Sequence, residues 1–418
     1  MGSFGIVIDV FCLFTIIIVV IQSVFTLAFS AIMFGRRKSS SPDGALADSP
    51  TAAIILCVRG TDPFLPQCIA KLLDQDYESY ELHIVVDSEV DPAWDVLREF
   101  ESDSRVRIRV LEDPLETCSL KCSSLVQAVN ALDSSFEVVA FCDADCVPHR
   151  TWLAELVAPF ADPSVGVTTG NRWYHPPKAS GAPLMRYLWN IPAAVNMVLL
   201  RIAWGGSLAV RHQVIHEAGL LARWSKSLCE DTMLFRVLRK HGYRQVFVPS
   251  VFMVNREACT LRDLASWVPR QLLTAKLYHP SWIATVGYGI ISSIVPVIAI
   301  GMSIYGWITG DATLSKQSLI ILSGFEVSNV IMVMICQWSA FRQISNPSSY
   351  TPLLTARAIL ILPIWILVSQ LIAPLSFIKC FLLRTVSWRG IDYRIRGQSI
   401  QRGRYSVFEH ASTSKRSL

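Results

Sequence analysis

The sequence predicts an α/β protein: a doubly wound domain flanked at both ends by helices apolar enough to cross a bilayer. Three observations predict it. Uncharged apolar runs cluster near the two ends of the chain, and the region between them alternates short apolar runs with segments of helical spacing. An acidic triplet, Asp143-Ala144-Asp145, directly follows one of those short runs, Val138-Val139-Ala140-Phe141-Cys142. Composition agrees, because 52% hydrophobic and 17% charged residues is too apolar for an ordinary soluble enzyme.

Residues 4–34 are read as an N-terminal transmembrane anchor, uncharged from Val10 to Phe34. A cleaved signal peptide would carry its positive charges ahead of the apolar run; here Arg36-Arg37-Lys38 come after it. Residues 50–257 form the α/β domain and 258–280 an interfacial amphipathic helix. Residues 281–385 hold further membrane segments, with runs at Ser281–Gly310, Gln317–Ala340 and Ala358–Ile378. Residues 386–418 read as a basic tail. The positive-inside bias puts both the 39–280 region and this tail on the cytoplasmic face of a multi-pass membrane protein. That demands an even number of crossings between them against three apolar runs, so 357–383, with Pro363 and Pro374, reads either as one simple span or as a bent re-entrant hairpin. The eleven cysteines show no zinc-type pairing and read as small buried hydrophobes in a reducing compartment.

Within the domain, Ala52–Val58 is a continuous apolar run that suits a buried parallel strand, and Arg59-Gly60-Thr61-Asp62-Pro63 is the turn leading off it. Residues 66–73 have helical spacing. Tyr80–Val86 is the second strand, stopping at Asp87, and 92–100 is a helix opened by Asp91 ahead of a proline. Val106–Leu111 reads as an edge strand, 120–132 as a helix, and 136–142 as the strand that carries the triplet at its end. Ligands of doubly wound sheets sit beyond the carboxyl ends of the strands, where Asp87, Asp143 and Asp145 all fall.

Two carboxylates one residue apart suit a hard divalent cation, Mg²⁺ or Mn²⁺, which takes oxygen ligands and is commonly shared with substrate phosphates. Asp-x-Asp also occurs in strand-ending turns. Trp204-Gly205-Gly206-Ser207 precedes another strand-like run, and its glycines either let backbone approach a ligand or merely shape the turn. Glu230-Asp231 opens the helix 233–241; Asp231 is either an N-cap or a general base within reach of a hydroxyl. Residues 182–200, with Tyr187 and Trp189, are amphipathic, and Glu326 is an acid inside an apolar run, where a charge is costly.

These residues resemble the ceramide glucosyltransferase group of the family 2-type membrane glycosyltransferases with the GT-A fold. The order Asp87, Asp143-x-Asp145, Glu230-Asp231 matches that group. So do Arg59-Gly60-Thr61-Asp62-Pro63, the stretch Asp76–Glu81 and Asp91-Pro92-Ala93, with Lys121 ahead of the triplet strand. Ser387-Trp388-Arg389-Gly390 with Tyr393–Arg396 is similar to the group's C-terminal end, so the resemblance runs from the first anchor to about residue 397.

The resemblance implies metal-dependent, inverting transfer of a sugar, glucose in that group, from a UDP-sugar to a lipid hydroxyl such as that of ceramide. The bilayer is an expected partner and nucleic acid is not. Asp231 would be the base, Asp143 and Asp145 the metal ligands, and Asp87, Lys121, Asp143 and Arg270 would contact the nucleotide sugar. One departure stands out. The group carries an Arg-Trp pair on the interfacial helix where this chain has Leu273-Thr274, which makes Arg270 or Lys276 the expected source of charge there. A processive polysaccharide synthase and a non-catalytic membrane protein with a degraded transferase domain are the alternatives.

Overall fold

The computed structural model describes residues 3–35, 49–176, 180–344, 353 and 355–408. Arg36, Arg37 and Lys38, on which the expected orientation leans, lie outside the described residues, as do Lys415 and Arg416. Helix α1 (Ser3–Phe34) leads into β1 (Ala52–Val58), α2 (Leu65–Leu73), β2 (Tyr80–Val86), α3 (Ala93–Arg98) and β3 (Val106–Val110). Next come α4 (Leu120–Asn130), β4 (Val138–Cys142), α5 (Trp152–Val157), β5 (Val165–Thr169), β6 (Arg172–Tyr174) and α6 (Gly181–Leu199). The domain closes with β7 (Ser207–Arg211), α7 (His212–Glu217), α8 (Leu220–Trp224), α9 (Leu234–Lys240), β8 (Arg244–Phe247) and β9 (Met253–Asn255). Then follow α10 (Leu261–Tyr278), α11 (Trp282–Thr309), α12 (Ala312–Phe341), α13 (Ala356–Leu382), β10 (Thr385–Trp388), β11 (Ile391–Arg396) and β12 (Ser399–Arg402).

The main sheet has the order β3-β2-β1-β4-β7-β5-β8. Strands β3, β2, β1 and β4 run parallel, β7 runs against β4 and β5, and β8 is parallel to β5. This is the mixed, doubly wound α/β architecture that the sequence predicts, with β3 at the edge. Every residue of β4, and all of β1 but Cys57, is buried. Helices cover both faces, so successive residues serve opposite cores. Ile55, Val85 and Phe141 pack with α4 and α8, whereas Ile54, Ile84 and Ala140 pack with α2 and α5. That two-sided burial is why these strands read as unbroken apolar runs.

Two readings of the domain and the tail change on contact with the structure. The helix expected over 92–100 spans only Ala93–Arg98, and Asp91 does more than cap it. One carboxylate oxygen accepts the Ala93 N–H at 2.8 Å, and both accept from the N–H of Gly60, at 2.9 and 3.0 Å. Asp91 thereby ties the turn after β1 to the turn after β2. Residues 385–402, expected as a tail, fold instead into an antiparallel sheet, β10-β11-β12, seated on the α/β domain. Tyr393 accepts the Leu120 N–H (3.3 Å), and the Arg402 N–H reaches the Glu116 carbonyl at 2.7 Å.

Four helices, α1, α11, α12 and α13, are long and apolar enough to cross a membrane. Their outer faces expose large apolar side chains such as Val10, Leu13, Trp307 and Leu360, as a lipid-facing surface would. Buried polar pairs join them: Gln22 to Ser292 at 3.2 Å and Ser339 to Ser30 at 2.9 Å. The stretch 357–383 is one continuous helix and not a hairpin; Pro363 and Pro374 are accommodated inside α13. Both ends of α13 lie near the domain. Leu353 and Leu362 share a packed cluster with Met33, Ala340 and Trp173, while Lys276 donates to the carbonyls of Cys380 (3.1 Å) and Phe381 (3.2 Å). Glu326 is buried beside the cluster of Phe11, Val295 and Phe325 and has no hydrogen-bond partner among the described residues.

Replacing Asp91 by Ala leaves buried N–H groups at Gly60 and Ala93 unpaired. We expect a loss of about 3 kcal/mol in stability, read as a lowered Tm of the detergent-solubilised protein, whereas Asp91→Asn loses less because its amide oxygen still accepts.

Candidate active site

A cavity of about 200 Å³ opens where the parallel strands end. Each wall comes from a different element. The turn after β1 supplies Arg59 and Gly60, the end of β2 supplies Asp87, and the end of β4 supplies Asp143 and Asp145. The first turn of α4, opened by a Ser119 cap on the Cys122 N–H, points Lys121 inward. Strand β7 runs antiparallel to β4, so its first residue, Ser207, pairs with Cys142, and the glycine turn before it lies beside the triplet. Glu230 and Asp231 enter ahead of α9, Trp267, Arg270, Gln271 and Thr274 come from α10, and Trp388 and Arg389 come from the β10–β11 turn.

Lys121 is the electrostatic centre. Its ammonium lies 2.6 Å from Asp143 Oδ1 and 2.8 Å from Glu230 Oε1. Burial works against its charge, but the two carboxylates outweigh it and raise its pKa well above the usual lysine range. Asp143, for its part, loses solvation yet is held below the ordinary carboxylate range by Lys121. Glu230, 1% exposed, is pushed up to about 7, because burial outweighs the pull of Lys121. Asp145 Oδ2 accepts from Arg172 at 3.1 Å, and the Arg172 guanidinium lies over the rings of Tyr174 and Trp204.

The glycine turn serves the acids. A Cβ on Gly205 would sit 1.7 Å from Glu230 Oε1, so only glycine leaves room for that carboxylate. Asp231 is oriented by backbone: Oδ2 accepts the Gly205 N–H at 2.9 Å and Oδ1 the Thr232 N–H at 2.6 Å. Asp87, 3% exposed, is paired with Arg59 and accepts from the Tyr405 hydroxyl at 3.2 Å. Burial raises its pKa despite the neighbouring guanidinium.

The sequence-derived candidates Asp87, Lys121, Asp143, Asp145, Asp231 and Arg270 therefore all line one cavity. Lys276 does not, because its ammonium turns away to the end of α13. Leu273 is fully buried on the core side of α10. Arg270 lies over the ring of Trp388 (5.5 Å), and burial lowers its pKa to about 10. Sequence reasoning did not single out Arg172, Trp388 or Arg389 as site residues. Arg172 carries no local signal. The β10–β11 turn does, in Arg389-Gly390 between strands of alternating polarity.

A strand-end acidic cavity facing a helix that borders apolar, membrane-length helices defines a class of membrane-associated α/β enzymes. The chain belongs to glycosyl transferase family 21, whose model matches residues 11–400. It is similar to glycosyltransferase AglE of Haloferax volcanii, at 22% identity over 174 residues that make up 41% of this chain and 55% of that protein. The chain thus spans about half the length of the curated relative it matches. A mannosyltransferase from Pyrobaculum calidifontis, solved with GDP-Man and Mn²⁺, has a TM-score of 0.49 at 16% identity, over 89% of this chain and 99% of that one. Glucosyl-3-phosphoglycerate synthase from Mycobacterium tuberculosis, solved with phosphoglyceric acid, has a TM-score of 0.38 at 16% identity, over 54% of this chain and 78% of that one.

Two outcomes follow from this geometry. Gly205→Ala is expected to destabilise by roughly 3 kcal/mol through overpacking against Glu230, seen as a fall in Tm. Asp62, with a fully buried side chain, has its pKa raised by burial to about 7 from 3.8. The folded state then holds a proton that the unfolded chain releases, so this contribution to stability is complete at low pH and declines as pH rises through 7. Thermal unfolding from pH 5 to 7.5 should show a shallower decline in Asp62→Asn than in the unaltered protein.

Proposed function

We propose that this chain transfers a sugar, glucose by the family resemblance, from a UDP donor to the hydroxyl of a membrane lipid such as ceramide, inverting the anomeric carbon. One observation carries the reading: α10 is a shared wall. On one side Arg270, Gln271 and Thr274 line the acidic cavity. On the other, Leu272 lines a second cavity of about 200 Å³, mainly apolar with polar groups such as Gln22, Asn196 and Asn329, and bordered by α1, α6, α11, α12 and α13. A donor site and a space suited to lipid chains are therefore separated by one helix. Trp189 and Leu188 of α6 border that second cavity, so the amphipathic stretch 182–200 would form part of the lipid acceptor's entrance.

Asp231 would take the proton from the acceptor hydroxyl as its oxygen bonds to the anomeric carbon. The bond from that carbon to the diphosphate oxygen breaks in the same step, and the nucleoside diphosphate leaves. The Gly205 and Thr232 N–H groups fix the direction in which Asp231 presents its free lone pairs. Lys121, Arg172 and Arg270 are the cations near the departing negative charge. Asp87 would bind the base or ribose.

The donor set fits Mg²⁺ or Mn²⁺: Asp143 and Asp145 are hard oxygen ligands lining one cavity, and two carboxylates plus substrate phosphates are a sufficient set. When bound, the ion would neutralise diphosphate charge. Each carboxylate is otherwise balanced by Lys121 or Arg172, which would then be freed to meet phosphate oxygens.

For topology, α1, α11 and α12 are proposed to cross the membrane, with α13 along its boundary, which leaves the domain and the β10–β12 sheet together on the cytoplasmic face. The parity is then even.

The test is a screen of UDP-sugars with Mn²⁺ against ceramide, diacylglycerol and sterol acceptors, read by lipid mass spectrometry. Asp231→Asn should keep donor binding and lose transfer by about a thousandfold; transfer at the normal rate would refute the base assignment. Asp143→Asn and Asp145→Asn should each abolish the Mn²⁺ dependence of UDP binding, measured by equilibrium dialysis.

A further inference from the structure

Trp388 and Arg389 sit at the tip of the β10–β11 hairpin, about as far along the chain from the acidic triplet as the described residues allow, yet both line its cavity. The turn is tight: Trp388 pairs with Ile391, leaving Arg389 and Gly390 as the two turn residues. Both have positive φ, 49° and 79°. Turns of this kind favour Asn or Asp followed by Gly, because the left-handed conformation crowds the Cβ of most other residues. An arginine kept at a position where Asn would be easier is a strained residue at a site, which points to use of its side chain.

The surroundings say what the side chain is for. Three of the other cations of the cavity are engaged by carboxylates, Arg59 with Asp87 among them, while Arg270 rests on the Trp388 ring. Lys121 lies between Asp143 and Glu230, and Arg172 is on Asp145. Arg389 makes only a 3.4 Å approach to Asp62. Its carbonyl accepts Arg59 Nε at 3.0 Å, and Arg59 is paired with Asp87, so the tip is registered to the ends of β1 and β2. Trp388 is held beneath the guanidinium of Arg270. An indole and a lightly held guanidinium thus face the carboxylates across the cavity, on the wall where α10 offers Thr274 and buries Leu273.

We propose that Arg389 binds the diphosphate of the nucleotide donor and stabilises it as a leaving group, with Trp388 as the aromatic wall that positions Arg270 beside it. This rests on the nucleoside-diphosphate donor reading above. Guanidinium and diphosphate match as planar donor fork and paired oxygens, a contact that strengthens as charge accumulates on the leaving oxygen. Trp388 acts through Arg270 and is a positioning residue.

The experiment measures binding of UDP and of GDP, each with Mn²⁺, to the full-length protein in detergent, by isothermal titration calorimetry alongside Tm. Arg389→Asn retains a favoured Asn-Gly turn while removing the charge, so its Tm should be unchanged or higher. Its nucleotide binding should weaken by about tenfold or more, the scale of a lost charge-assisted contact. Arg389→Lys, which keeps charge without the fork, should fall between. Trp388→Ala should weaken binding by less than Arg389→Asn and remove the additional effect of Arg270→Ala. Binding by Arg389→Asn within twofold of the unaltered protein overturns the proposal. Should Arg389→Asn lose its fold, the lysine variant decides: undiminished binding overturns the proposal and weakened binding at unchanged Tm supports it. Failure of the unaltered protein to bind either nucleotide overturns the donor reading itself, and this inference with it.

Discussion

The ammonium of Lys121 is the point on which the site depends. It is shared between Asp143 at the end of β4 and Glu230 ahead of α9, two acids from separate elements of the chain. Removing Lys121 would leave two neighbouring carboxylates without their shared counter-charge, which is far costlier than losing a surface pair. The arrangement also dictates its neighbours. Position 205 must lack a side chain for Glu230 to fit, and Trp224 anchors the Glu230 carbonyl through its indole N–H at 3.0 Å. Asp231, next in the chain, inherits its orientation from that constraint.

Helix α10 joins this charged centre to the membrane-length helices. Its capping box, Thr260 with Asp263, fixes where it starts, and the Tyr278 hydroxyl accepts the Leu228 N–H at 2.9 Å near its end. Its C-terminal end is thus pinned to the domain while Lys276 and the first turn of α11 meet α13. A single helix therefore contacts both the acidic cavity and the membrane-length helices.

Much of this was legible in the sequence, for identifiable reasons. Strands β1 and β4 are buried on both faces and so announce themselves as apolar runs. Asp87, Asp143 and Asp145 are recognisable because they interrupt such runs at the strand ends where ligands collect. The partners of those acids were harder to see. Arg172 reaches Asp145 only because β6 pairs with β9, a contact between short strands that carry no strong period. Prolines misled in 357–383: each removes one helical N–H, which suggests a break, but packing against α6, α10, α11 and α12 keeps α13 whole. The β10–β12 sheet was masked by its arginines, whose charge reads as a tail although Val386, Ile391, Tyr393 and Ile400 alternate inward.

Arg59 and the Arg389 carbonyl that it contacts are 330 positions apart in sequence. During synthesis the acidic triplet emerges early, while the hairpin that walls it off emerges only after all the membrane-length helices. A partly made chain therefore carries the carboxylates without their last wall. The order of the chain itself delays closure of the acidic cavity until the last membrane-length helix has been made.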